Sequence, residues 1–292
     1  MLPASHRGES GEASAADATV PVSPVITLAG VSKRFQSTVA LHNVSATIPP
    51  GQFVAIIGRS GAGKTTLLHC LARTSTVTSG HIRFGTCDLA SLQGEMLRQH
   101  RARVGMIYQQ FNLVKRLHVC DNVLVGRLPH LRGAAWWLAL ARYFPAAQRA
   151  IALRCLEHVG LLNRAWQRTD TLSGGEQQRV AIAKVLAQQP LVILADEPVA
   201  SLDLANGALV MDTLQRVASE TGLTVIATLH HVEYARRYAD RVLGLRAGEL
   251  VFDGLPAALT DAALRGLLSE APLQSAPPAQ TATLETVWVA SS

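Results

Sequence analysis

The chain has 292 residues, 48% hydrophobic and 16% charged, a balance that excludes a wholly disordered protein and allows a domain with an ample core. Its 27 Lys and Arg against 21 Asp and Glu give a net charge of +6, but the cations are scattered, so no nucleic-acid partner is expected. The most apolar stretch, AAWWLALA at 134–141, is too short to span a bilayer, so any work at a membrane requires a partner.

Residues 1–24 and 268–292 are rich in Ala, Ser, Pro and Thr without apolar periodicity and read as flexible tails. The first also lacks the basic start and apolar run of a targeting signal. Within 25–267, VITLAGV (25–31) and SATI (45–48) are expected as short antiparallel strands. QFVAIIG (52–58) reads as a buried strand entering a glycine loop, and KTTLLHCLAR (64–73) as the helix after it. From about 96 to 170 the chain turns to Leu/Ala/Arg-rich helical segments, broken at GRLPHLRG (126–133). Strands return at LVILADE (191–197) and LTVIATLH (223–230). Between them a helical pattern puts Val210, Leu214 and Val217 on one face. RVLGLRAGELVFDG (241–254) reads as a hairpin turned at Ala247-Gly248. Strands alternating with helices imply an α/β fold, a parallel sheet covered on both faces, with the helical stretch inserted. Cys70, Cys87, Cys120 and Cys155 show no CxxC and no ligand spacing with histidine, so they read as reduced core thiols of a cytosolic protein.

Three motifs carry chemistry. GRSGAGKTT (Gly58, Arg59, Ser60, Gly61, Ala62, Gly63, Lys64, Thr65, Thr66) fits G-x-x-x-x-G-K-[ST] between a strand and a helix. Its amides and the helix N-terminus suit the phosphates of ATP, Lys64 reaches the β/γ-phosphates, and the Thr65 hydroxyl ligates Mg²⁺. LVILADEP ends an apolar strand with Asp196, a second Mg²⁺ holder, and Glu197, a base for the attacking water; a plain charged strand end before Pro198 is the alternative. LSGGEQQRV (172–180) sets Ser173, Gly174 and Gly175 at the start of a helix whose Val180, Ala183 and Ala187 pack inward and which ends near Pro190. Alone, that start is a plain N-cap.

Together, LSGGEQQR, GRSGAGKTT and ILADEP resemble the ATP-binding-cassette ATPases over about residues 25–260. The resemblance implies a P-loop NTPase core of RecA type with a mostly parallel sheet, an N-terminal antiparallel β part and an inserted α-helical part at about 96–178. It implies that two copies meet head to tail, each Ser173-Gly174-Gly175-Glu176 loop closing on the ATP held by the other copy's glycine loop. It assigns Phe35 to stacking on adenine, where a core or surface aromatic is the alternative. Gln109, with Gln110 beside it, falls at the loop that contacts Mg²⁺ and water and couples to a transmembrane partner. Asp203 belongs to a loop, from Ala200, that crosses the dimer seam. His230, with His231 beside it, meets the γ-phosphate, so Glu197, His230, Gln109 and Lys64 form the implied catalytic set. Three positions depart from the family pattern: Arg59 stands for proline or another small residue, Thr65 for serine, and Glu176 for glutamine.

Narrower likeness lies in YQQFNLVKRLHVCDNVLVGRL (108–128), WWLALARYF (136–144), LADEPVASLD (194–203) and RRYADRVLGLRAGELVFDG (236–254), which look similar to phosphonate-import ATPases. That resemblance implies an ATPase pair under two permease subunits, peripheral on the cytoplasmic face of a bacterial inner membrane, with an extracytoplasmic solute-binding protein delivering a phosphonate or related phosphorus anion. Other importers and exporters share the motifs. Cassette ATPases acting on DNA or ribosomes need long coiled-coil insertions or tandem cassettes, and neither is present. Trp136 and Trp137 are either helical core or a surface near the permease.

Overall fold

The computed structural model describes residues 23–141 and 143–269. The expected tails lie outside the described residues except at their inner edges. There Ser23 is buried and donates its hydroxyl to the carbonyls of Leu191 and Gly222, and Leu268 ends the last helix.

β1 (Ile26–Phe35) and β2 (Thr38–Ile48) form an antiparallel hairpin, longer than the short strands expected. Register shifts between Leu28 and Arg34 break the period of two, so the alternation that marks a strand fades after Val31. β3 (Phe53–Ile57) leads into α1 (Lys64–Leu71). β4 (Ser79–Phe84) and β5 (Cys87–Asp88) complete an antiparallel sheet in the order β2-β1-β4-β5, and α2 (Gly94–Arg103) follows.

Next comes β6 (Val104–Ile107), which corrects the expected helical stretch: VGMI is the edge strand of the main sheet. A four-residue apolar run between helices has too little period to declare itself. Beyond it are α3 (Val119–Val125), α4 (Ala134–Leu140), α5 (Ala146–His158) and α6 (Gly174–Ala187). The chain then alternates through β7 (Val192–Asp196), α7 (Leu204–Thr221), β8 (Thr224–Leu229), α8 (Val232–Tyr238) and β9 (Arg241–Arg246). It finishes with β10 (Glu249–Gly254) and α9 (Asp261–Leu268). The main sheet runs β10-β9-β3-β8-β7-β6, parallel except for the β9–β10 hairpin. That hairpin turns where expected, with Ala247 and Gly248 both left-handed (φ 48° and 84°), the pairing that matches strand twist in a two-residue turn.

Alternate residues of β3 feed two cores. Val54 and Ile56 join the antiparallel sheet and α1, while Phe53, Ala55 and Ile57 join the helical side. Burial on both faces explains why these strands read as unbroken apolar runs. Val210, Leu214 and Val217 of α7 and Val180, Ala183 and Ala187 of α6 all sit in the second core, as their spacing predicted. Trp137 does not: it is 69% exposed and meets Trp136 edge-on with ring centroids 5.0 Å apart. All four cysteines are unpaired thiols, Cys87 half-buried and the others buried. No helix among the described residues is long and apolar enough to cross a membrane.

Candidate functional site

Register in the parallel sheet brings the motif residues to one edge. Ile57 pairs with Leu229, Thr228 with Asp196, and Ala195 with Ile107. Gly58, His230, Glu197 and, two residues past β6, Gln109 therefore emerge together at the carboxyl ends of the strands, where open α/β sheets hold ligands.

The glycine loop is shaped by close contacts from outside it. Gly58 and Gly63 are left-handed (φ 155° and 99°), and a Cβ at either would lie 2.2 Å from the Leu245 carbonyl oxygen or 2.4 Å from that of Ala40. Only glycine fits. Gly61 (φ 80°) faces open space, and Ser60, Gly61 and Thr65 are exposed, so this stretch of backbone is accessible to a ligand. The Gly248 amide donates to the Ala62 carbonyl at 3.1 Å, and the His42 amide donates to the Gly248 carbonyl at 2.9 Å, so the β9–β10 turn braces loop and hairpin together. Lys64, almost fully buried, folds back to donate to the carbonyls of Gly58 (2.8 Å) and Arg59 (3.0 Å). Burial pushes its ammonium below the ordinary value, while the Glu197 and Asp196 carboxylates act in the opposite direction.

A hydrogen-bonded chain joins the loop to the acidic pair. Asp196 Oδ1 accepts from the hydroxyls of Thr65 (2.9 Å) and Thr228 (2.8 Å). Thr228 Oγ1 in turn accepts the Glu197 amide at 2.8 Å, and Glu197 Oε1 is 2.5 Å from His230 Nε2. Glu197 is held left-handed (φ 48°), a conformation that costs energy for a non-glycine residue and concentrates at functional sites. The Thr65 hydroxyl and Asp196 carboxylate are adjacent hard oxygens of the kind Mg²⁺ takes alongside waters and substrate phosphates. Among the described residues no cluster of three or more His, Cys, Asp or Glu forms a metal cage. A cation held by two protein oxygens and a nucleotide suits that donor set.

The second loop is a separate cluster. Ser173 caps α6: its hydroxyl accepts the Glu176 amide (3.3 Å) and its own amide donates to Glu176 Oε2 (2.9 Å). This is a capping box, which the S-x-x-E spacing encodes and which extends the plain N-cap expected at this helix start. Ser173 and Gly174 are exposed, whereas a Cβ at Gly175 would lie 2.7 Å from Asn206 Oδ1. Asp203 caps α7 through the Asn206 amide (2.9 Å) and side chain (2.6 Å), which hold its carboxyl below the usual range. Phe35 is half exposed at the end of β1, with Lys33 Nζ 4.7 Å from its ring centre. Gln109 and Gln110 are both exposed.

A lysine on a glycine loop, with a threonine and two strand-end carboxylates at one edge of a parallel sheet, defines the phosphate-handling P-loop class of α/β proteins. Within that class, the chain belongs to the ABC transporter family, whose model matches residues 41–200. It is 48% identical over 243 residues to the phosphonates import ATP-binding protein PhnC 2 of Rhodopseudomonas palustris (strain BisA53), covering 83% of this chain and 89% of that one. The PhnC protein of Bradyrhizobium diazoefficiens is 49% identical over the same shares. Among solved structures, the ATP-binding cassette MJ0796, a dimer in a post-hydrolysis state with ADP and Pi, is 33% identical with a TM-score of 0.69 over 79% of this chain and 98% of that one. The cassette resemblance read from the three motifs therefore holds, as does the α/β architecture with its antiparallel and helical parts.

Proposed function

We propose that this chain is the ATP-hydrolysing subunit of an ABC importer for phosphonates or related phosphorus oxyanions. The hydrogen-bonded chain Thr65–Asp196–Thr228–Glu197–His230 beside the glycine loop carries the reading. The amides of Gly58 to Thr66 and the Lys64 ammonium bind the phosphates, and Phe35 takes the adenine face. Thr65, Asp196 and Gln109 would hold Mg²⁺, which would supply positive charge to offset that of the phosphates. Glu197 accepts a proton from the attacking water, and His230 orients Glu197 and meets the γ-phosphate.

Ser173, Gly174 and Gly175 close on the nucleotide of a second copy, with Asp203 near the seam. That the MJ0796 cassette is dimeric with ADP and Pi supports a pair of copies around nucleotide. Kinship with phosphonates import ATP-binding proteins supports phosphonate import. On that reading the chain works with permease subunits and a solute-binding protein, peripheral at the cytoplasmic face. The transported molecule does not touch this subunit, so cargo rests on kinship rather than on side chains here.

Glu197→Gln should cut hydrolysis by about 10²-fold or more and trap an ATP-bound dimer on a sizing column in Mg²⁺. A variant that stays monomeric in ATP contradicts the assigned role. Uptake of radiolabelled phosphonate, with and without this chain and beside phosphate, sulfate and amino-acid controls, tests the cargo.

A further inference from the structure

The second loop carries a carboxylate where a polyanion has to dock. Glu176 sits in the first turn of α6, one residue past the exposed Ser173–Gly174 pair and the tightly packed Gly175. One of its oxygens is committed to the Ser173 amide at 2.9 Å. The other, Oε1, lies 3.6 Å from Nε of Arg164, which belongs to the short turn Leu162–Arg164 ahead of the loop. A second cation, Arg179, stands one turn along the same helix. Its guanidinium is drawn inward, with NH1 donating to the Val159 carbonyl at 3.0 Å and Nε buried without a partner. Arg164 lies on the solvent side of this pair, its side chain 43% exposed against 21% for Glu176.

Electrostatics at such a rim governs approach and register more than final contact area. Left alone, Glu176 would repel a triphosphate brought up by another copy. With Arg164 against it, the negative charge of the carboxylate is offset on its solvent side.

We propose that Arg164 is a positioning residue of the second loop. It neutralises the capping carboxylate Glu176, so the capping box fixes the backbone of Ser173–Gly175 without repelling the partner copy's triphosphate. This rests on the reading above that the loop acts in trans. Capping and anion docking make opposite demands on one side chain, the first favouring a carboxylate at a helix N-terminus and the second opposing it. Arg164 reconciles them.

The test uses the full chain carrying Glu197→Gln, with ATP and Mg²⁺, and reads dimer dissociation by sedimentation at low and high salt. Adding Arg164→Met should weaken dimerisation about tenfold at low salt and less at high salt, with ATP affinity of the monomer unchanged. Adding Glu176→Gln as well should restore dimerisation, because glutamine keeps the reciprocal cap while removing the charge. Restoration separates charge compensation from a structural role, since a misfolded turn is not mended by a neighbouring amide. Equal weakening with Glu176 and with Gln at that position overturns the inference, as does no weakening at all. Failure of the Glu197→Gln chain itself to dimerise in ATP defeats the trans reading and this inference with it.

Discussion

Thr228 illustrates how much one hydroxyl arranges at this site. Fully buried, it donates to Asp196 and accepts the Glu197 amide, so it fixes both acids from the neighbouring strand. Thr228→Val keeps the shape and removes both bonds, leaving the Glu197 amide unpaired at a cost of about 1–3 kcal/mol. Calorimetry should register that loss, and turnover should fall more than ATP affinity. An unaltered melting curve and turnover would remove Thr228 from the account. Glu176 allows a test by pH. The Ser173 amide foremost, opposed by burial and assisted by the Ser173 hydroxyl, Arg164 and Arg179, holds its carboxyl below the ordinary value. A carboxyl depressed in the folded state stabilises fully above its unfolded value and loses that contribution as pH falls through the folded one. The melting difference between the native chain and Glu176→Gln should therefore be constant from neutrality to about pH 5 and change only in more acid buffer.

Among the elements, the loop after β6 and the segment before α6 are fastened to each other. Asn122 of α3, buried, takes the Val114 amide (2.8 Å) and donates to the Val114 carbonyl (3.0 Å) and to the buried Thr169 hydroxyl (2.8 Å). Thr169 Oγ1 donates to the Leu117 carbonyl at 3.0 Å, and Lys184 of α6 donates to the Asn112 carbonyl at 2.8 Å. The segment following Gln109 is thus fixed to the segment leading into Ser173. Asn122→Leu orphans several buried polar groups, each worth about 1–3 kcal/mol, and should lower the melting temperature sharply. Gly63→Ala should abolish nucleotide binding, measured by titration with a fluorescent ATP analogue, because its Cβ meets the Ala40 carbonyl oxygen of β2 at 2.4 Å.

Over the whole molecule, burial ranks the thiols. It pushes Cys120 and Cys155 up to about 11 and raises Cys70 as well, whereas Cys87 is half-buried at the end of the antiparallel sheet. Alkylation at pH 8 followed by mass spectrometry should modify Cys87 first and the other three only on unfolding. The features legible in the sequence are local ones: glycines that need left-handed backbone, a lysine beside them, acids at a strand end, helical faces such as Val210–Leu214–Val217. What escaped reading joins residues far apart in the chain. Thr228 is 32 positions from Asp196, and Arg164 meets Glu176 only because the turn Leu162–Arg164 folds back on α6. The β6 strand is not legible because four residues cannot show a period.

The turn at Ala247-Gly248 has a consequence for how this scaffold tolerates change. Its amide grips Ala62 and its carbonyl grips His42, so a surface hairpin that looks dispensable is a common fastening for the phosphate loop and the antiparallel sheet. Lengthening it by a single residue would release both at once, and a peptide tag spliced there should silence the motor.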